Sequence, residues 1–307
     1  MARIRNKVLE VNIVFLVVSI LFITLGSFVQ YLNVEIGIII TEYILLLGPM
    51  LLVLFLRKEK IKSGSRLNKI NFKQIILTIL IAICVLPIAL FANSLMFLIM
   101  KKFGMNAMIP TVPTADTGIQ YLKLFFVIAV SAGVCEELFF RGFVLCGYKE
   151  KHINVSVFVS AFLFAILHFN LGNFLSPLVL GIVYGYIVHI TDSVYSSMIA
   201  HTIHNGIIVT YMYILSTKFS YLMDEATGVN PTTAITFSAV ISLLVIALIF
   251  VALVILLVKK LASVSKNNGL EECNYVTLGI NKNKREVMSY IPLLLPIALY
   301  LFFNLSY

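Results

Sequence analysis

Charged residues are scarce in this sequence. They make up 12% of the 307 residues, whereas soluble domains carry roughly a quarter. Hydrophobic residues account for 60%, and the mean hydropathy is +1.01. This composition excludes a soluble enzyme and a nucleic-acid-binding domain. It predicts an integral membrane protein made mostly of α-helices, because a helix satisfies its own backbone hydrogen bonds inside a bilayer.

Cysteine motifs are absent as well. The four cysteines show no CxxC or CxxH spacing, so neither a disulfide framework nor a zinc knuckle is indicated. The HExxH motif of zinc peptidases is also missing. We expect the cysteines to be small buried side chains. They are Cys84, Cys135, Cys146 and Cys273.

Nine apolar runs follow one another along the chain, most of them near the length of about 20 residues that a membrane span requires. They cover approximately residues 11–31, 36–56, 75–100, 121–147, 153–168, 174–191, 194–216, 233–258 and 288–304. The sequence therefore predicts an all-α polytopic bundle of about eight or nine transmembrane helices.

Lysine and arginine are distributed asymmetrically between the loops. They concentrate before the first run, in the loop at 57–73 and in the loop at 259–286. Because cytoplasmic loops carry the excess of basic residues, we expect a cytoplasmic N-terminus. The formal charge of +9 then reports orientation and gives no reason to expect a nucleic-acid partner. The richness in Ile, Lys and Asn favours a bacterial cytoplasmic membrane.

Ionisable side chains concentrate in one third of the chain. Inside a bilayer they are costly and mark functional sites. We therefore divide the chain into N-terminal transmembrane helices (1–119), a core that carries the ionisable groups (120–216), and C-terminal helices with a polar cytoplasmic linker near 259–287 (217–307). The intramembrane groups of the core are Glu136, Glu137, Arg141, His168, His189, His201 and His204, whereas elsewhere only Glu42 lies well inside a span.

The acidic pair of the core carries the first chemical signal. Adjacent helix positions point about 100° apart, so we expect Glu136 and Glu137 to serve different partners. Glu137 and Arg141, at i and i+4, share a face and can pair. Glu136 is then left without a counter-charge on its own helix, which suits a general base.

Two later spans add imidazoles. His168 lies near the end of a span, and by itself a histidine there is more often an interfacial residue. His201 and Asn205, at i and i+4, share a helix face and can donate hydrogen bonds to a developing oxyanion or help to hold a metal or a water. His204 lies one residue off that face and is expected either to support the site residues from behind or to pack. At about 1.5 Å per residue, Glu136, His168 and His201 fall within about 11 Å of one another in depth, which suits one cavity.

The ordered set of Glu136-Glu137-xxx-Arg141, Phe164-xxx-His168 and His201-xxx-Asn205 resembles the CPBP intramembrane protease family. This family includes the type II CAAX prenyl endopeptidases and the ABI-like bacterial proteins linked to bacteriocin processing and immunity. The resemblance covers about residues 120–215 and implies peptide-bond hydrolysis of a membrane-associated peptide or protein substrate.

The resemblance also implies a role for each matched residue. Glu136 and His168 would activate a water, His201 and Asn205 would stabilise the oxyanion, and Glu137 with Arg141 would shape the site. The role of His168 rests mainly on this resemblance.

The sequence leaves other hypotheses open about the chemistry and the function. Glu136, His168 and His201 are candidate ligands for a divalent metal such as zinc, against direct activation of water by the glutamate. The same ionisable groups could form a relay in a proton- or ion-coupled transporter, although no internal repeat accompanies them. A non-catalytic membrane scaffold is the third reading.

Overall fold

The computed structural model describes residues 7–61, 65–106, 113–149, 151–219, 234–266 and 287–305. Within these ranges the chain forms nine long helices and no strand. They are α1 (Lys7–Leu32), α2 (Val34–Leu56), α3 (Phe72–Lys102), α4 (118–147), α5 (Ile153–Leu167), α6 (Leu175–Thr191), α7 (Val194–Lys218), α8 (Phe237–Lys266) and α9 (Ile291–Leu305). Each helix coincides with one of the nine predicted runs, so the predicted all-α polytopic bundle is confirmed.

The helices differ in how well they suit a membrane crossing. Five of the described helices, α1, α2, α3, α7 and α8, are long and apolar enough to span a bilayer. Helices α5, α6 and α9 are apolar but shorter. Helix α4 is long, and it carries the charged cluster of Glu136, Glu137 and Arg141. The protein is an integral membrane protein, and the helix that carries this charged cluster is an internal one.

Local sequence signals explain where the polar ends of two helices lie. Asn71 and Gln74 form a reciprocal capping box at the start of α3, and Thr117 and Gln120 form another at the start of α4. Each box satisfies backbone N–H groups that a helix N-terminus leaves without partners. Both helices therefore begin at a fixed residue.

Helices α1, α2 and α4 contain π-helical segments. In α4 they cover Phe125–Val130 and Leu138–Val144, on either side of the α-helical stretch Ser131–Glu137. Such widened turns are frequent at functional sites. The acidic pair thus lies at the junction between an α-helical and a π-helical turn.

Two apolar clusters flank the centre of the bundle. The first apolar cluster is formed by α1, α2, α4, α5 and α9, and the second by α3, α6, α7 and α8. Phe164 belongs to the first cluster, and Tyr184 belongs to the second. The charged cluster of α4 lies where these two clusters meet.

The C-terminal part differs in one boundary from the sequence prediction. Helix α8 continues to Lys266, beyond the expected end of its span at residue 258. The rest of the predicted linker, 267–286, lies outside the described residues, as does Cys273. The other three cysteines are free; Cys135 is buried, whereas Cys84 and Cys146 are half-buried.

Candidate active site

A glycine sets the distance between α4 and α7. A Cβ atom at Gly133 would lie 2.9 Å from the backbone nitrogen of Thr202 and 3.1 Å from its Cα. Only glycine therefore allows the two backbones to approach so closely at this point. Gly133 lies one helical turn before Glu137, and Thr202 follows His201 directly. The close approach brings the acidic pair of α4 against the imidazole of α7.

Glu137 and Arg141 form a fully buried ion pair. Nη1 of Arg141 donates to Oε1 of Glu137 at 2.8 Å, and neither side chain has any exposed surface. The i, i+4 spacing of the sequence thus produces the expected pair. A buried charge needs such a partner, because its removal from water is not otherwise compensated.

The guanidinium of Arg141 lies between two aromatic rings. Its Cζ is 4.6 Å from the ring centroid of Phe164 and 5.8 Å from that of Tyr184, both within the range of a cation–π contact. Gly181 makes room for it, because a Cβ there would lie 3.3 Å from Nη2 of Arg141 and 2.7 Å from Cβ of Ala161. The guanidinium of Arg141 therefore contacts one aromatic ring from each of the two apolar clusters.

His201 lies between the two glutamates. Its Nδ1 is 2.9 Å from Oε1 of Glu137, and its Nε2 is 3.6 Å from Oε2 of Glu136. The expectation that adjacent glutamates serve different partners is therefore wrong in this respect. An imidazole has nitrogens on two edges of its ring, so one residue of α7 can face two carboxylates that diverge from α4.

The contacts of His201 assign its protons. Oε1 of Glu137 also accepts from Arg141, so it is an ionised acceptor and Nδ1 of His201 is the donor. Nε2 then faces the carboxyl group of Glu136. The side chain of Glu136 is 16% exposed, whereas that of Glu137 is fully buried. Glu136 is therefore the member of the pair that an incoming molecule can reach.

His168 is connected to His201 by the ring of Phe164, which lies on α5 and contacts both imidazoles. Its Nδ1 is 2.9 Å from the carbonyl oxygen of Phe164, and a carbonyl only accepts, so Nδ1 carries the proton and Nε2 is the acceptor. The ring centroid of Phe164 is 5.0 Å from that of His168 and 5.8 Å from that of His201. The same phenylalanine thus holds both imidazoles and lies under Arg141.

Asn205 and His204 complete α7. Asn205 is half-buried, and its Nδ2 is 3.4 Å from the carbonyl oxygen of Ile128 in α4, a long and weak hydrogen bond. Its amide can therefore turn to another acceptor at little cost. His204 is buried, and its Nδ1 makes no hydrogen bond to any described residue.

Glu42 of α2 lies beside this group. The π-helical segment Ile40–Leu46 packs on Ser131–Glu137 of α4, and Glu42 interacts electrostatically with Glu136 and Cys135. Glu42 is buried, and its Oε2 has no hydrogen-bond partner among the described residues. The sequence singled out Glu42 as an intramembrane carboxylate but gave no reason to place it near Glu136.

The candidate metal ligands do not assemble into a metal site. In the described part of the chain, no three or more His, Cys, Asp or Glu side chains form a group that could hold a metal ion. Since the donor set does not fit a metal, the chemistry below is derived from the side chains alone.

Two aromatic residues of the site were not assigned a role from the sequence. Phe164 was named only as part of a motif, and Tyr184 was not named. Tyr184 contacts Arg141 and also lies 5.9 Å from the ring centroid of His201. Its position, one turn after Gly181 and directly before Gly185 on a short apolar helix, is the signal that could have indicated it.

Comparison with known proteins addresses this same part of the chain. Residues 118–207 match the family model described as Type II CAAX prenyl endopeptidase Rce1-like. No curated protein and no solved structure matches the chain. The matched range runs from α4 into α7 and contains every residue of the group except Glu42. The match confirms the resemblance seen in the motifs. The core of this membrane protein is similar to Rce1-like type II CAAX prenyl endopeptidases, and this similarity supports, at the level of the family, the activity of an intramembrane CAAX-type endopeptidase.

Proposed function

We propose that the protein is an intramembrane endopeptidase that uses Glu136 as its general base. One observation carries this proposal: of two adjacent glutamates, Glu137 is neutralised by Arg141 and fully buried, whereas Glu136 is partly exposed and faces an imidazole. A carboxylate that is partly exposed and not paired with Arg or Lys is free to accept a proton from water. The buried pair behind it orients the imidazole of His201, with Nδ1 as the donor to Glu137.

In the proposed reaction, Glu136 and Nε2 of His168 hold and deprotonate one water. The water oxygen attacks the carbonyl carbon of the scissile peptide bond, and the proton passes to Glu136. The tetrahedral intermediate then collapses, the C–N bond breaks, and Glu136 returns its proton to the leaving amine. The products are a new carboxylic acid and a new amine, which exchange the remaining proton to become a carboxylate and an ammonium group, so atoms and protons balance without a cofactor.

His201 and Asn205 would stabilise the negative oxygen of the intermediate. They lie at i and i+4 on α7, so their donors point the same way. For this role His201 needs a proton on Nε2 as well as on Nδ1, and a doubly protonated imidazole suits a position between Glu136 and Glu137. Preorganised donors of this kind typically contribute about 10²- to 10³-fold to the rate.

The substrate proposed here is a membrane-associated peptide whose cleavage site approaches from the cytosol. The distribution of basic residues, with a cytoplasmic N-terminus, supports this side. In a bacterial membrane, such an activity would serve peptide maturation, bacteriocin self-immunity or clearance of membrane peptides, since prenylated CAAX proteins are generally absent there.

The test is cleavage of a panel of membrane-anchored reporter peptides by the purified protein in detergent, with the cut site read by mass spectrometry. We expect cleavage at one or a few bonds near the membrane end of the reporter, unaffected by a chelator. The same protein in liposomes is assayed for proton flux. Proton flux without cleavage of any reporter would replace this proposal with a transporter, and neither activity would favour a scaffold.

Asn205→Ala is expected to lower kcat by about 10²-fold with little change in KM, because the oxyanion exists only in the intermediate. Steady-state kinetics on the best reporter measure this effect. Asn154→Ala, which removes the exposed amide that accepts from Tyr186, is the control and should keep the wild-type kcat. An Asn205→Ala enzyme with unchanged kcat would remove Asn205 from the mechanism.

A further inference from the structure

The loop that follows His168 joins two apolar helices that are short for a membrane crossing. Helix α5 has 15 residues and α6 has 17, which correspond to lengths of about 22 Å and 26 Å. Both are shorter than the hydrocarbon core of a bilayer, about 30 Å. With the far end of each helix at the membrane surface, the loop between them, 168–174, would end within the bilayer, where its backbone N–H and C=O groups must be satisfied by the protein.

A side chain of α9 satisfies two of these groups. Oδ1 of Asn304 accepts from the backbone N–H of Leu171 at 2.6 Å, and its Nδ2 is 3.3 Å from the carbonyl oxygen of Phe169. The same Nδ2 also donates to the carbonyl oxygen of Tyr300 at 2.8 Å, which fixes the amide against its own helix. One asparagine therefore connects the loop to the C-terminal helix.

The loop is strained at the point where Asn304 holds it. Phe169 has φ of +46°, the left-handed conformation that a side chain with a Cβ rarely adopts. Such a conformation is strained and persists only where its surroundings enforce it. Phe169 follows His168 directly. Asn304 therefore holds the carbonyl group of the residue next to His168.

Helix α9 is itself firmly attached to the bundle. Tyr300 is buried in the first apolar cluster, and its ring centroid lies 5.9 Å from that of Phe174, at the other end of the loop. At the start of the helix, Nδ2 of Asn12 in α1 donates to the carbonyl oxygen of Ser289. The support for the loop therefore comes from a fixed element that lies outside the matched range 118–207.

We propose that Asn304 is a positioning residue that holds the loop 168–174 in its left-handed turn and so aims the imidazole of His168 into the site. This inference rests on the proposed function for its catalytic consequence. Loss of the amide lets Phe169 relax, and the imidazole of His168 moves away from its productive position. A displacement of about 1 Å in such a site can cost about 10²-fold in rate.

The experiment compares Asn304→Ala with Asn304→Asp and with Leu301→Ala, a change on the exposed face of the same helix. We expect kcat on the best reporter to fall about 10²-fold in Asn304→Ala, with KM changed by less than about threefold. Asn304→Asp keeps the acceptor for Leu171 and should recover part of the loss. Leu301→Ala should keep the wild-type kcat.

A double-variant cycle separates positioning from general damage. If Asn304 acts through His168, Asn304→Ala should cost nothing further in a His168→Ala background, because coupled residues are not additive. Equal losses in both backgrounds would overturn the proposal. An unchanged kcat in Asn304→Ala would overturn it as well.

Hydrogen–deuterium exchange tests the loop without an activity. We expect amides of 168–174 to exchange at least about tenfold faster in Asn304→Ala than in the wild type or in Leu301→Ala, because local opening becomes easier. If no reporter is cleaved but exchange rises, the proposed function fails while the structural role of Asn304 stands. Unchanged exchange would refute that role in either case.

Discussion

Glu136→Gln is expected to reduce peptide cleavage by at least about 10³-fold, to the background of the assay. Glutamine has nearly the same shape as glutamate but cannot accept the proton of the attacking water. Because Glu136 is the partly exposed member of the acidic pair and is not paired with Arg141, the fold should survive the change. The measurement is single-turnover cleavage of a reporter, with the thermal unfolding midpoint recorded in parallel.

Glu42→Gln is the matched control. It makes the same chemical change at a buried carboxyl group on the neighbouring helix, close enough to interact with Glu136. We expect this variant to retain most of its activity, since the unpartnered Oε2 of Glu42 belongs to no step of the reaction. Activity retained by Glu136→Gln, or lost equally in both variants, would contradict the assignment of Glu136 as the base.

The order and the rough bounds of the helices follow from the sequence because the bilayer imposes a simple length rule. All nine apolar runs became helices in the described residues. Two features needed the structure. Helix α8 extends to Lys266 because charged and polar side chains can continue a helix beyond the apolar part. The π-helical turns of α4 cannot be read from periodicity, because a single widened turn leaves no repeat.

The candidate site was only partly predictable. The pair of Glu137 and Arg141 follows from a spacing of four within one helix. The position of His201 between both glutamates depends on how closely α7 approaches α4, which Gly133 permits, and no local pattern encodes that approach. Asn304 lies more than a hundred residues from the loop it holds. Contacts of this kind are decided by packing.

Arg141→Met is expected to lower the free energy of unfolding by about 3–5 kcal/mol, the typical cost of leaving one buried charge without its partner. Glu137 would lose its cation and keep the hydrogen bond from His201, and the two rings that enclose the guanidinium would lose their cation as well. Activity should disappear with the fold. The measurement is denaturant-induced unfolding in detergent, followed by helical circular dichroism and by retention on size-exclusion chromatography.

A double variant shows whether the loss of stability comes from the unpaired charge. Glu137→Leu combined with Arg141→Met should recover much of the stability, because an apolar pair of similar volume avoids the desolvation of both ions. The recovered protein should still be inactive, since His201 has lost the acceptor for Nδ1.

Arg57→Met provides the comparison at the edge of the bundle. Arg57 also pairs with a glutamate, Glu10, and lies over a phenylalanine ring, that of Phe143, but Glu10 is partly exposed. Solvent can stabilise the charge of Glu10 once Arg57 is removed, so we expect the free energy of unfolding to fall by only about 1 kcal/mol or less. If Arg57→Met and Arg141→Met lower the free energy of unfolding by the same amount, burial of the ion pair would not be what holds the two apolar clusters together. A large cost at Arg141 alone would mean that one charge serves the stability of the core and, through Glu137, the orientation of His201.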